Sequence, residues 1–181
     1  PEKELRGSPA PRPVGGKAAD MKQGYTHLYT GNGKGKTTAA MGLALRARGA
    51  GLSVLFIQFL KKGDYSETKA LASLGVTVEQ CGQGGFYRPK NGDYIEHRGC
   101  AKRGYVRALT AAKEGAFDLI VCDEIISAFS SDLVTYEELQ ELVAAKSPSV
   151  ELVLTGRGAP SGLYDSCDLV TEMNGVKHYY D

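Results

Sequence analysis

Thr30-Gly31-Asn32-Gly33-Lys34-Gly35-Lys36-Thr37-Thr38 is the stretch that decides how this chain reads. An apolar, strand-like run, Tyr25–Tyr29, precedes it, and a helix-like run, Thr38–Arg48, follows it. Strand, glycine-rich loop, Lys-Thr and helix in that order form the layout of a phosphate-binding P-loop. The glycines let the backbone curl with its N–H groups facing inward around an anion. Lys36 adds a mobile positive charge, the Thr37 hydroxyl can hold a magnesium ion, and the following helix points its positive end at the phosphates. The position where the usual pattern has its first glycine is Thr30, and the glycines stand at Gly31, Gly33 and Gly35. A glycine-rich turn in a basic loop is the alternative reading of the same residues.

Outward from this loop, composition narrows the field. A chain of 181 residues suffices for one well-packed domain and is short for two. The net charge of +1 leaves no broad basic field, so no nucleic-acid partner is expected. Cys81, Cys100, Cys122 and Cys167 are widely spread and form no C-x-x-C pair, which argues against a zinc or redox motif and for reduced thiols. No apolar run is long enough for a membrane span and no signal-peptide pattern shows, so a cytoplasmic protein without a membrane partner is expected. Residues 1–20 hold four of the seven prolines and almost no large apolar side chain. They read as a flexible tail or an appended segment, with Met21 a candidate start and 21–181 a single P-loop domain.

From Met21 the chain alternates strand and helix signals. Strands are expected at Tyr25–Tyr29, Ser53–Phe59, Val76–Gln80, Leu119–Cys122, Glu151–Leu154 and Asp168–Glu172. Helices are expected at Thr37–Arg48, Ser66–Leu74, Ile95–Lys113 and Tyr136–Ala145, with a short turn near Leu163–Ser166. Runs such as Val54-Leu55-Phe56-Ile57 are apolar without alternation, as in strands buried on both faces of a parallel sheet. The expectation is a three-layer α/β domain of the P-loop type, with a mostly parallel sheet covered by helices and ligands at the carboxyl ends of the strands.

Leu119-Ile120-Val121-Cys122-Asp123-Glu124 is an apolar strand ending in two acids. Beside the P-loop strand its tip would deliver a carboxylate toward a metal on Thr37, the Walker B arrangement. Magnesium takes oxygen ligands and often needs only one or two carboxylates besides phosphate. Adjacent acids on an extended backbone face opposite ways, so only one of Asp123 and Glu124 is expected to touch the metal directly.

From about Met21 to Asp181 the chain resembles the P-loop type of ATP:corrinoid adenosyltransferases. The resemblance lies in Gly31-Asn32-Gly33-Lys34-Gly35-Lys36-Thr37-Thr38, Ile57-Gln58-Phe59-Leu60-Lys61, Val121-Cys122-Asp123-Glu124 and Thr155-Gly156-Arg157-Gly158-Ala159-Pro160. It extends to Asp168–Met173 and Val176-Lys177-His178. It implies transfer of the 5′-deoxyadenosyl group of ATP to the cobalt(I) of a reduced corrinoid, with release of triphosphate, in adenosylcobalamin formation. In that reaction the loop stabilises the whole triphosphate as a leaving group.

By the same resemblance Gly31 to Thr38 and Arg157 bind ATP, and Lys36, Glu124 and Phe86 are catalytic. Lys34 faces either phosphate or solvent. Thr37, Asp123 and Glu124 hold magnesium, with Glu124 favoured by the family match as the partner that acts directly or through water. An aromatic wedge beneath the corrin ring removes the lower axial ligand of cobalt in the family, within a Gly-Phe-x-Trp segment. Here that stretch is Gly84-Gly85-Phe86-Tyr87-Arg88, and the chain has no tryptophan. Phe86 carries over, whereas the tryptophan position falls on Arg88, which departs from the pattern; the rest of the corrinoid-binding group is Tyr87 contributing a ring or Arg88 contacting corrin side-chain amides. A homodimer and an electron-donating reductase are further implications, and relatives continue past the position of Asp181 with a short basic segment. A P-loop ATPase or small-molecule kinase, with Glu124 positioning a nucleophile, is the competing enzyme reading. A nucleotide-dependent corrinoid-binding module is the non-enzyme one. His27, His97 and His178 have no metal spacing and read as structural, His178 being the exception to watch.

Overall fold

The computed structural model describes residues 23–83 and 93–179. Residues 1–20, expected as a tail, and Phe86, Tyr87 and Arg88, expected to bind corrinoid, lie outside the described residues.

Six strands form one sheet: β1 (Thr26–Thr30), β2 (Val54–Phe59), β3 (Thr77–Cys81), β4 (Leu119–Asp123), β5 (Glu151–Thr155) and β6 (Leu169–Glu172). Their spatial order is β3-β2-β4-β5-β1-β6, and every pairing is parallel. All six strand ends therefore lie along one edge, where the P-loop begins. Every residue of β2 and β4 is buried, which explains their unbroken apolar runs. The edge strand β6 is exposed throughout, so its apolar Leu169 and Val170 do not mark a two-sided core.

Helices α1 (Lys36–Gly49) and α2 (Ser66–Ser73) cover one face. There Ala40, Ala44 and Ala47 of α1 pack with Phe56, Val121 and Val153. A stripe of alanines at this spacing lets the helix axis approach the sheet closely, which brings Thr37 near the tip of β4. The other face carries α3 (Tyr94–Glu114), α4 (Ile125–Ser130) and α5 (Tyr136–Ala145). Tyr105, Ala108, Ile125, Ile126 and Leu139 pack there against Leu55, Ile57, Ile120 and Leu154. A 3₁₀ turn spans Ser161–Ser166.

Two expectations change. The short α4 was not expected, because Ile125-Ile126 continues the apolar run of β4 and six residues carry too little periodicity to reveal a helix. The acid-tipped strand β4 is not beside β1, because β5 lies between them. The remaining strands and helices occur where expected, with ends shifted by a residue or two. All four cysteines are free thiols, and no cluster of metal-ligating side chains occurs among the described residues. No described helix is long and apolar enough to cross a membrane.

The helical layer is fastened by Glu138, buried in the first turn of α5. Its amide donates to Thr135 Oγ1 at 3.2 Å and its carboxylate accepts from the Thr135 amide at 2.9 Å, a reciprocal cap. The same carboxylate takes Arg98 Nη2 at 2.9 Å and Lys102 Nζ at 2.6 Å from α3. Burial raises the Glu138 pKa, but the two cations and the Thr135 amide outweigh it and bring the group down to about 2. A depressed carboxyl pKa stabilises the fold above the unfolded-state value. That contribution is lost as pH falls from about 4.5 toward about 2. Glu138→Gln should therefore lower stability at neutral pH by about 2 kcal/mol. It should also flatten the acid limb of stability between those pH values, as read by urea unfolding at several pH values. An unchanged acid limb in the variant would assign that limb to other groups.

Candidate active site

The P-loop joins β1 to α1 and is shaped from below. Gly33 N donates to Met173 O at 2.6 Å, and Met173 N donates to Thr30 O at 2.9 Å. The strap that follows β6 thus runs directly against the loop. A Cβ on Gly31 would stand 2.5 Å from Met173 O, and one on Gly33 would stand 2.7 Å from the same oxygen. Gly31 also has φ +93°, in the region that side chains avoid. These glycines are required by the strap as much as by any phosphate. Thr30 is buried, and its hydroxyl accepts a long bond from Ala159 N at 3.4 Å. The departure from the usual first glycine thus ties the loop to the segment carrying Arg157.

Lys36 opens α1 and is only 6% exposed. Its ammonium folds back onto the loop, donating to Gly31 O at 2.6 Å and Gly33 O at 2.7 Å. Burial lowers its pKa and the nearby Arg157 adds to this, while Glu124 opposes. A partly desolvated ammonium held by two neutral carbonyls can gain strongly from an incoming polyanion.

Asp123, at the end of β4, is fully buried. Its Oδ1 accepts from Thr37 Oγ1 and from Thr155 Oγ1, each at 2.8 Å, and Lys61 Nζ stands 3.2 Å from Oδ2. Thr155 ends β5, the strand between β4 and β1, and so spans the gap that this strand order creates. Glu124 does not continue the extended strand. Its φ of 64° and ψ of 16° are left-handed, and it caps α4. That turn, rather than strand alternation, sends the two carboxylates apart. The Glu124 amide donates to Thr155 Oγ1 at 2.9 Å, and its carboxylate accepts a short hydrogen bond from Ser127 Oγ. Ser127 Oγ in turn accepts from Arg157 N at 3.1 Å. A non-glycine residue held left-handed at a strand tip stores strain, as functional sites do.

Lys36, Thr37, Glu124 and Arg157 face one open cleft of about 450 Å³, with Asp123 and Thr155 buried beneath it. It is lined by Asn32 to Thr38, with Lys61, Glu124 and Arg157 among the other walls. Gly31 lies beneath, accepting from Lys36. Lys34 and Arg157 are exposed at the rim. Met41, Glu67 and His178 also line the cleft. His178 stacks on Tyr179, with ring centroids 4.4 Å apart. The other two histidines lie outside the cleft lining: His27 Nε2 meets Glu151 Oε1 at 2.8 Å, and buried His97 meets Asp93 at 3.3 Å. Sequence reading did not place Lys61, Thr155, Ser127 or Glu67 in the site. Lys61 and Thr155 stood in motif stretches, which was the available signal, whereas Ser127 and Glu67 carried none.

The oxygen set of Thr37, Asp123 and Glu124 has the chemistry for a small hard cation that shares its shell with phosphate. The loop, the lysine and the helix start supply the anion's side of the cleft. Fold and site together define an α/β protein of the P-loop type. The ATP:corrinoid adenosyltransferase BtuR/CobO/CobP family matches residues 22–181, and the chain belongs to that family. The corrinoid adenosyltransferase CobA of Salmonella typhimurium is 32% identical over 165 residues, covering 90% of this chain and 83% of that protein. The corrinoid adenosyltransferase of Escherichia coli K12 is 29% identical over the same shares. A Nostoc protein is 34% identical over 170 residues, and the match spans 86% of this chain and 45% of that longer relative. In architecture, the flagellar accessory protein FlaH of Methanocaldococcus jannaschii superposes with a TM-score of 0.56 at 13% identity, over 83% of this chain and 71% of that one. That likeness concerns the fold alone.

Gly33→Ala tests the strap. The added methyl would stand 2.7 Å from Met173 O, so the loop or the strap must shift. The expected outcome is a melting temperature lower by several degrees and weaker ATP binding by calorimetry. Unchanged values for both would mean that the strap yields freely.

Proposed function

We propose that this protein transfers the 5′-deoxyadenosyl group of ATP to the cobalt(I) of a reduced corrinoid and releases triphosphate. The observation that carries this reading is the convergence of Lys36, Thr37, Glu124 and Arg157 on one polyphosphate-sized cleft, in a chain of this family. Cobalt(I) attacks C5′ of the ribose, a cobalt–carbon bond forms, and the C5′–oxygen bond to the triphosphate breaks. The electron pair of that bond leaves on the triphosphate oxygen, so negative charge grows on the departing group. Lys36, Arg157 and the loop amides oppose that charge. Magnesium, when bound by Thr37 with the Asp123-Glu124 pair, supplies further charge neutralisation. Residues 21–181 act as one domain in this reading. The protein works in the cytoplasm as a homodimer, with a separate reductase supplying the electrons that make cobalt(I).

Product analysis separates this reading from a P-loop ATPase or kinase. In an anaerobic assay with ATP and chemically reduced cobalamin, triphosphate and a cobalt–carbon absorption spectrum are expected. ADP as the product would overturn the proposal. Lys36→Ala should lower turnover roughly 10²–10³-fold at saturating ATP while leaving the fold intact by circular dichroism. Unchanged turnover would remove the loop from the mechanism.

Phe86 is assigned as the wedge beneath the corrin ring, with Tyr87 and Arg88 beside it. Phe86→Ala should leave ATP affinity nearly unchanged. It should impair the reaction that starts from cobalt(II) with a weak reductant far more than the one supplied with cobalt(I). If the residue is ordinary packing, both assays fall together. Electron paramagnetic resonance of the ATP complex gives the direct reading, because a wedge produces a four-coordinate cobalt(II) signal. Full retention of that signal in Phe86→Ala would move the role to another residue, Tyr87 first.

A further inference from the structure

Asp123 is a fully buried carboxylate, and such a charge is costly unless a cation answers it. Its Oδ1 is occupied by the hydroxyls of Thr37 and Thr155. At Oδ2 stands the ammonium of Lys61, at 3.2 Å. The Lys61 side chain is 25% exposed and also lines the phosphate cleft, with the Glu67 carboxylate 4.0 Å away on its other side. One ammonium therefore faces both the buried acid and the space where a polyphosphate would lie.

The backbone is built to put it there. Leu60, directly after β2, has φ 62°, a left-handed conformation unfavourable for a branched residue. Its amide donates to Cys81 O at 3.3 Å. A Cβ on Gly82 would stand 2.5 Å from both Leu60 C and Lys61 N, so the two chain segments touch backbone to backbone. Farther along, Gly63 N donates to Gln80 Oε1 at 3.1 Å, and Gln80 Nε2 donates to Gln58 Oε1 at 3.1 Å. The loop after β2 is thus fastened to β3 on both sides of Lys61. Strain is held at the one residue whose turn directs the lysine into the cleft.

We propose that Lys61 is an exchangeable cation: it answers Asp123 while the site is empty and becomes a phosphate contact when a metal-bound polyphosphate enters. The inference rests on the nucleotide reading above and extends it. A lysine is a compact charge on a flexible four-carbon stem, so it can change partners by side-chain rotation without moving the backbone. A divalent cation on the Thr37 hydroxyl would lie close to Asp123 and repel the ammonium from it. The polyphosphate offers that ammonium a new anionic partner in the same cleft. Metal and polyphosphate binding are then coupled, and the coupling is reciprocal.

The test is titration calorimetry of the full chain with sodium tripolyphosphate and with magnesium chloride, singly and together. Lys61→Met should weaken tripolyphosphate binding in magnesium by roughly tenfold or more, the loss of one charge-assisted contact. The same variant should bind magnesium alone more tightly than the parent, because the competing cation is gone. Lys61→Arg should recover most of the tripolyphosphate affinity. A purely structural lysine would give no gain in magnesium affinity. If Lys61→Met fails to fold around the unanswered carboxylate, the pair Lys61→Met with Asp123→Asn removes both charges, and its tripolyphosphate titration without magnesium, compared with that of Asp123→Asn alone, decides: equal affinities overturn the proposal. Lys36→Ala is the control. Loss of binding in Lys36→Ala with binding within twofold of the parent in Lys61→Met would overturn this proposal and leave the nucleotide reading intact. Undiminished binding in both variants would overturn the two together.

Discussion

The buried carboxylate of Asp123 is the constraint around which the site is arranged. It ends a strand whose other four residues are all apolar, on the face covered by α1. Three side chains from three other elements come to it: Thr37 from the start of α1, Thr155 from the end of β5 and Lys61 from beyond β2. Two neutral donors and one cation answer the buried charge, and removing any of them is costly. Satisfying Asp123 therefore fixes the P-loop helix, the central strands and the loop after β2 relative to one another. The same bonds that satisfy the charge put a hydroxyl, an ammonium and a second carboxylate around one cleft.

The second constraint works from beneath the loop. Because β6 pairs with β1, the chain leaving β6 passes against the glycines of the P-loop. Its Met173 carbonyl takes the Gly33 amide, and two glycines are needed to admit that backbone. The chain then reaches the cleft again at His178. A strand that is exposed along its whole length contributes little to the core, yet it sets the shape of the phosphate loop. The open cleft is thus bordered both by the loop after β1 and by the segment after β6.

Charge in the cleft is arranged with little waste. Lys36 donates to two carbonyls of its own loop, and Lys61 answers Asp123. Arg157 and Lys34 stand exposed at the rim. Among the described residues the backbone is left-handed at three non-glycine positions: Leu60, which precedes Lys61, Glu124, which follows Asp123, and Asp132, outside the cleft lining. The first two lie where site side chains must be aimed, and the sheet beneath supplies the packing that holds them.

The sequence by itself determined the local chemistry and the class of fold. Glycines before Lys36-Thr37 announce a phosphate loop, and apolar runs without alternation announce buried parallel strands, because both signals are local and depend only on residue type and spacing. Family membership was legible for the same reason, in contiguous motifs such as Thr155-Gly156-Arg157. Tertiary structure alone decided which strand lies beside which, and so made Thr155 rather than a β1 residue the bridge to Asp123. It alone brought Lys61 to Asp123, 62 positions apart in the chain, and set Met173 beneath Gly33. It turned Glu124 out of the strand, where alternation would have left it extended. Spacing rules describe neighbours along one element, whereas these contacts join elements through packing, and a buried charge must find its partners wherever the fold places them.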